Sequence, residues 1–446
     1  MKRIKFSGFF LILIIVVILG IPAIYNLPAV QERVGWRVAE LMARIKYSLS
    51  PPEKVIFVPE KDAVLPTKTI TSPSTQSTPP PANATPVTPS NLPQSLPIAT
   101  QTFTPIPKSI LLKGIHHEYQ TWNNCGPATL AMALSYWKWD GNQRIIADFA
   151  KPNPRDKNVA PYELADFVKE KTQLQTVLRV GGEIPLLKRF LAAGFPVIIE
   201  KGFEGRDFNG WMGHYVLVTG YSDSDKQFTF QDSYYGPDQV MGYENFESYW
   251  RAFNFTYLVV YPLERREEVM AILGPQADEE SNYRYAAQKA SDEISTLNGR
   301  DQFFALFNRG ASLVSLQDFA GAASAYDEAF ALYPDIPEKE RPWRMMWYQT
   351  GPYSAYYYTG RYQDVIELAS TTLDAMSEPV LEESYYWRAL AREAANDTEG
   401  AVKDLRSALK YHPGFEPALT QLANKTFTFT DSTLTSLRNQ EVVYFK

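Results

Sequence analysis

The chain has 446 residues, 45% of them hydrophobic and 14% aromatic, and a formal net charge of −6. That length permits two or three domains, and an acidic balance with no long basic block beyond the first residues argues against nucleic acid as a partner. A single cysteine, Cys125, excludes an intramolecular disulfide framework.

Residues 1–5 form a basic tip. From Phe6 to Val30 no charged residue occurs, and about 20 apolar residues suffice to cross a bilayer. The pattern predicts a transmembrane helix over 6–25, with Lys2, Arg3 and Lys5 on the cytoplasmic side and the rest of the chain beyond the membrane. Arg33, Arg37, Arg44 and Lys46 weigh against that orientation, although Glu32 and Glu40 are interleaved with them. A cleaved signal peptide is the competing reading; the apolar run is long for one, and no Ala-x-Ala site follows. A juxtamembrane amphipathic helix is expected over 26–48. Residues 49–108 read as a Pro/Ser/Thr-rich linker, since 14 of the 32 prolines lie between Pro51 and Pro107 and the segment has too little apolar surface to fold. As a coil it would reach roughly 40–45 Å and hold the folded domains clear of a bilayer.

The next unit, 109–263, contains Gln120-Thr-Trp-Asn-Asn-Cys-Gly-Pro-Ala-Thr-Leu-Ala-Met-Ala-Leu134. Asn123-Asn124 reads as a turn, Pro127 suits a first helical turn, and an apolar run follows. Cys125 is therefore expected at a helix N-terminus, where unpaired N–H groups and the dipole favour a thiolate. Gln120 could offer its amide to an oxyanion. Ile184 to Gly194 predicts an amphipathic helix and Phe195 to Glu200 a buried strand. Lys201 to Gly213, with four glycines and three aromatics, reads as a mobile loop. Gly213-His-Tyr-Val-Leu-Val-Thr-Gly-Tyr221 predicts a buried strand with His214 at its start. Gln227 to Gln231 predicts its antiparallel partner across a Ser-Asp-Ser-Asp turn. That hairpin would bring Asp232 to one nitrogen of His214 and leave the other facing Cys125. His116, His117 and Glu118 match no common zinc spacing, so neither a metal nor a cofactor is expected. His412, before Pro413, reads as a helix-end residue.

Tyr119-Gln120, Asn124-Cys125-Gly126-Pro127-Ala128, Gly213-His214-Tyr215 and Asp232 together resemble the papain-like cysteine peptidases of the bacteriocin-leader-processing type, cysteine peptidase family thirty-nine, in its stand-alone peptidase-like branch. The resemblance spans about residues 110 to 262. It implies that Cys125 attacks a carbonyl, His214 is base and then acid, Asp232 orients His214, and Gln120 helps form the oxyanion hole. No Walker-type phosphate loop occurs in the sequence, so leader cleavage coupled to export is not expected and the substrate does not carry over.

Residues 264–300 read as connecting helices. Over 301–420 the pattern resembles tetratricopeptide repeats. Leu306, Gly310, Ala322, Tyr326, Ala329 and Pro334 mark a first copy, Met346 to Pro379 with Gly360 at its turn a looser second, and Glu382 to Pro413 a third. An insertion, Asp335 to Pro342, separates the first two. Tyr356, Tyr357, Tyr358, Tyr385 and Tyr386 could line a concave binding face or pack between helices. Residues 421–446 carry no assignable pattern.

The sequence thus predicts a multidomain protein: an N-terminal transmembrane helix, an α+β papain-like domain and an all-α repeat domain. Its expected activity is hydrolysis of peptide bonds in a peptide or protein substrate, with a protein partner on the repeats. A catalytically silent scaffold, and a Cys-dependent acyltransferase or cell-wall amidase, are the competing readings.

Overall fold

A computed structural model describes residues 36–60, 105–153, 155–204 and 210–426. The transmembrane helix expected over 6–25, and the start of the juxtamembrane helix, lie outside these residues. Among the described residues no helix is long and apolar enough to cross a membrane.

Residues 109–262 form an antiparallel sheet. Its strands are β1 (Ser109–Leu111), β2 (Leu174–Arg179), β3 (Val197–Glu204), β4 (Trp211–Ser222), β5 (Gln227–Asp232), β6 (Gly236–Gly242) and β7 (Tyr257–Pro262). They lie in the order β2-β7-β3-β4-β5-β6, with β1 added to β4. Central strands buried on both faces read as continuous apolar runs; Val216, Leu217 and Val218 are fully buried. Alternate residues therefore feed two cores. Val216, Val218, Val197 and Ile199 meet Leu187, Phe190, Phe246 and Trp250 on one side. Leu217, Ile198, Leu258 and Val260 meet Leu130, Leu134, Leu164 and Phe167 on the other.

The helices on the second side are α2 (Cys125–Tyr136), α3 (Gln143–Ala150) and α4 (Pro161–Lys171). Helix α2 is apolar all round, as a fully enclosed helix must be, and Gly126 to Leu134 are all buried. Helices α5 (Ile184–Ala192) and α6 (Tyr243–Arg251) cover the first side.

The expected loop over 201–213 is corrected. Most of it is strand: β3 runs to Glu204 and β4 begins at Trp211, with Lys201 opposite His214, Gly202 opposite Gly213 and Phe203 opposite Met212. Gly202 and Gly213 are glycines because side chains pack against the backbone, while 205–209 lie outside the described residues. A Cβ at Gly202 would lie 2.8 Å from the Trp211 indole nitrogen, and one at Gly213 would lie 2.6 Å from the Phe253 ring.

Helices α7 (Arg266–Leu273) and α8 (Glu279–Ile294) connect to the repeats. The repeats pair α9 (Gly299–Ser315) with α10 (Phe319–Leu332), α11 (Gly351–Tyr358) with α12 (Tyr362–Ala375), and α13 (Glu382–Ala394) with α14 (Thr398–Tyr411). Small residues sit where helices touch: a Cβ at Gly310 would be 2.6 Å from the Tyr326 ring. Gly360, with φ +78°, turns the chain between α11 and α12. The tyrosines mostly pack: Tyr356 is fully buried, whereas Tyr358 is 59% exposed. A final helix, α15 (Glu416–Thr426), extends the repeat region past the expected limit of 420. The interruption between the first two repeats is also longer than expected. It runs from Tyr333 to Thr350 through three short 3₁₀ turns, so α11 starts at Gly351 rather than Met346.

Of the free linker expected over 49–108, residues 49–60 are corrected as well, while 61–104 lie outside the described residues. The N-terminal segment, helix α1 (Trp36–Leu49) and the residues after it, lies along the repeats. Arg341 Nη1 donates to the Glu53 carbonyl (2.9 Å), Phe57 meets Phe330 edge-on at 5.0 Å, and Glu60 N–H donates to Asp364 Oδ1 (2.8 Å). Burying Phe57 overrides the linker composition, because a fully buried aromatic contributes roughly 1.5–3 kcal/mol.

Candidate active site

Cys125 is the first residue of α2. The turn before it is fixed in shape: Asn123 has φ +53°, and buried Lys151 donates its ammonium to the carbonyls of Asn123 (3.0 Å) and Trp122 (3.4 Å). Gln143 ties the same turn to α3. Its Oε1 accepts from Thr121 N–H (2.9 Å) and Asn124 Nδ2 (2.8 Å), and its Nε2 donates to Glu118 Oε2 (3.1 Å) and the Tyr119 carbonyl (2.8 Å).

His214 is the fourth residue of β4, deeper in the strand than expected, and is 2% exposed. The hairpin with β5 has the expected turn, Ser222 opposite Gln227. It brings Asp232, the last residue of β5, to His214: Nε2 and Oδ1 are 2.9 Å apart. The same Oδ1 accepts from the N–H groups of Tyr234 (2.8 Å) and Tyr235 (3.1 Å). The Cys125 thiol lies close enough to the imidazole for His214 to act on it by charge and hydrogen bonding. Phe203 stacks on the imidazole at 4.5 Å and 25°.

These contacts set the charges. Burial pushes the Cys125 thiol up. The hydrogen bond and charge of His214, with N–H groups of Tyr215 and Gly126, outweigh burial and hold the thiol below its ordinary value. Burial pulls His214 down, but Asp232, by charge and hydrogen bond, and then Cys125 raise it to about 9. Burial raises Asp232, and His214 with the two tyrosine N–H groups holds it at about 2. All three shifts act in one sense, toward thiolate, imidazolium and carboxylate.

Gln120 lies beside the same end of β5. Its N–H donates to the Ser233 carbonyl (2.9 Å), and the Ser233 hydroxyl donates to its Oε1 (2.8 Å). That bond fixes which way the amide faces, so Nε2 is the free end for a substrate oxygen.

Several neighbours escaped the sequence reading. Lys201 is buried opposite His214; burial lowers its ammonium to about 8, against the raising charges of Asp232 and Cys125. Glu200 is buried and burial pushes it well above the carboxylate range; beside it, the Tyr215 hydroxyl donates to the Val159 carbonyl (2.8 Å) and the Tyr215 ring packs under Gly126. Tyr348, from the repeat interruption, shares a hydrogen bond with the Gly213 backbone, and Arg344 Nη1 donates to the Trp211 carbonyl (2.8 Å). Both therefore brace the strand that carries His214. No local signal marked them, because each acts from a distant part of the chain.

The other histidines stand apart. His116 is exposed. His117 Nδ1 lies 3.2 Å from Gln231 Oε1. His412 follows α14 as expected and pairs with Glu382 at 2.8 Å. Among the described residues no cluster has the makings of a metal site.

Residues 112–258 match the model of the Peptidase_C39 like family, and residues 383–414 match that of the tetratricopeptide repeat. The chain thus carries a Peptidase_C39-like domain followed by tetratricopeptide repeat structure. No curated protein matches. Among solved structures, the peptidase domain of Streptococcus ComA, a bifunctional ABC transporter of a quorum-sensing pathway, is 17% identical; the match covers 33% of this chain and 99% of that one, with a TM-score of 0.27. Xylellain, a cysteine protease from Xylella fastidiosa, is 16% identical over 36% of this chain and 87% of its own, with a TM-score of 0.29.

Proposed function

We propose that this protein is a membrane-anchored, extracytoplasmic cysteine peptidase with Cys125 as nucleophile, His214 as base and acid, Asp232 as the group that orients His214, and Gln120 as oxyanion donor. The observation that carries the reading is the place of His214, bonded to Asp232 at 2.9 Å and acting on the Cys125 thiol.

The Cys125 thiolate attacks the peptide carbonyl carbon, forming a C–S bond and a tetrahedral oxyanion that accepts from Gln120 Nε2. Collapse breaks the C–N bond, and the His214 imidazolium gives its proton to the departing amine. Neutral His214 then takes a proton from water as the water oxygen attacks the thioester. The C–S bond breaks, the acid product leaves, and the thiolate–imidazolium pair returns. Asp232 stays ionised throughout and holds the imidazole in place.

The anchoring part of the reading is supported by the uncharged run from Phe6 to Val30. The repeats would take up a protein partner or present the substrate. Hydrolysis is distinguished from acyl transfer to an amine by mass analysis of products with and without added amine.

A thiol-directed alkylating probe tests the site. Labelling should begin below the ordinary thiol pKa and depend on His214. Cys125→Ala should remove both labelling and peptide turnover while circular dichroism stays unchanged. Turnover surviving in that variant overturns the mechanism.

A further inference from the structure

Helix α1 turns its polar side toward the protein. Lys46 Nζ donates to the carbonyls of Asp374 and Met376, both at 2.5 Å, and the Tyr47 ring meets Trp343 edge-on at 5.2 Å. The apolar residues point away. Val38, Leu41, Met42, Ile45 and Leu49 are 36, 58, 58, 48 and 79% exposed. At about 100° per residue, all five fall within an arc of about 100° centred opposite Tyr47, with Lys46 about 40° beyond one edge. A helix that belonged only to a water-soluble domain would turn such a stripe inward.

The sequence around α1 says what covers the stripe. Trp36 follows the uncharged Phe6–Val30 run by six residues. At no more than about 3.6 Å per residue, α1 begins within about 20 Å of that run. Arg37 and Arg44 border the stripe on one flank, where long basic side chains can reach lipid phosphates while their stems stay apolar.

We propose that α1 lies in the membrane interface, with Val38, Leu41, Met42, Ile45 and Leu49 in the acyl chains of the leaflet from which the chain emerges. The inference rests on the reading of residues 6–25 as a bilayer span. Its consequence is orientation. Because α1 is fixed to the repeats at Lys46 and Tyr47, a helix lying flat would hold the repeat domain against the lipid and set the direction in which the active site faces.

Nitroxide labels on the full chain test this. In a Cys125→Ser background, which leaves no native thiol, Leu41→Cys, Ile45→Cys and, as a control on an exposed residue of the α+β domain, Lys113→Cys are labelled. The chain is reconstituted into phosphatidylcholine–phosphatidylglycerol vesicles. Electron paramagnetic resonance should place the labels at 41 and 45 about 5–10 Å below the headgroup boundary, reached by oxygen and shielded from a nickel chelate, with the reverse at 113. If the chain floats with the vesicles but positions 41 and 45 are as open to nickel as 113, the inference falls and the anchor stands. Shielding from both reagents means that protein covers the stripe, which also overturns it. A chain that fails to float removes the anchor and this inference together.

Discussion

The two folded halves use buried charge differently. In the α+β domain, His214, Lys151, Lys201 and Glu200 all interact with the charge at one sulfur, and Asp232 acts on it through His214. In the repeats, two groups of buried arginines and aspartates pair with one another instead. Asp404 is held by Arg388 (2.8 Å) and Arg392 (2.8 Å), and Arg361 by Asp327 (2.7 Å) and Asp364 (2.6 Å). Asp404 ties α14 to α13 and Asp327 ties α10 to the start of α12, while Arg361–Asp364 lies within the first turn of α12. The lesson is that a buried charge by itself marks neither catalysis nor structure; convergence on a reactive atom separates the two.

The sharpest way to break the contrast is Asp232→Asn. Loss of the orienting carboxylate should lower turnover by about 10⁴, with little change in fold. Without that negative charge, burial dominates at His214, so the imidazolium is lost at lower pH. Less imidazolium means less stabilisation of the Cys125 thiolate, so the pH at which alkylation begins should move up. Rates of Cys125 alkylation against pH measure the shift. Gln120→Ala should cost less, about 10²–10³ in kcat, with alkylation unchanged because the amide meets only the oxyanion. Tyr348→Phe tests whether the repeats reach into catalysis. It keeps the ring and removes the hydroxyl, so it should reduce stability by about 0.5–1.5 kcal/mol and lower kcat without changing KM. Asp404→Asn should do nothing to alkylation or kcat, yet destabilise the repeats by about 3–5 kcal/mol, the usual cost of stranding a buried partner; urea melts read it directly. Equal effects of Asp232→Asn and Asp404→Asn on turnover would erase the contrast.

Stability should carry the same signature. Asp232 is depressed to about 2, so its contribution is present above the unfolded carboxylate value and is lost as pH falls toward 2. His214 is raised to about 9, so its contribution is full below its unfolded value and is lost as pH rises through 9. Denaturant midpoints of the native chain, compared with those of His214→Gln across pH 6 to about 10, isolate the second arm.

Much of the site was legible because its parts are local. Cys125 is marked by the turn and helix around it, and the His214–Asp232 pair by a hairpin whose turn is spelled out in the sequence. What was misread has a common cause. Gly202 and Gly213 looked like loop residues, but they are glycines because Trp211, Phe253 and Tyr348 occupy the space a Cβ would need. Residues 51–60 looked like the rest of the proline-rich stretch, and only Phe57 and Pro59 settling onto distant helices distinguishes them. Neither signal exists before the partner surface does. The buried Lys151 and Lys201 were invisible for the same reason.

The seating of Glu60 on the repeats has one more consequence. Residues 61–104 run between two fixed points, Glu60 on Asp364 and the β1 strand on β4. The two folded ends are therefore held to one body by their own contacts and not by the peptide chain alone. A single protease cut between Glu60 and Ser109 would leave both fragments associated, with the catalytic unit still attached to the N-terminal segment.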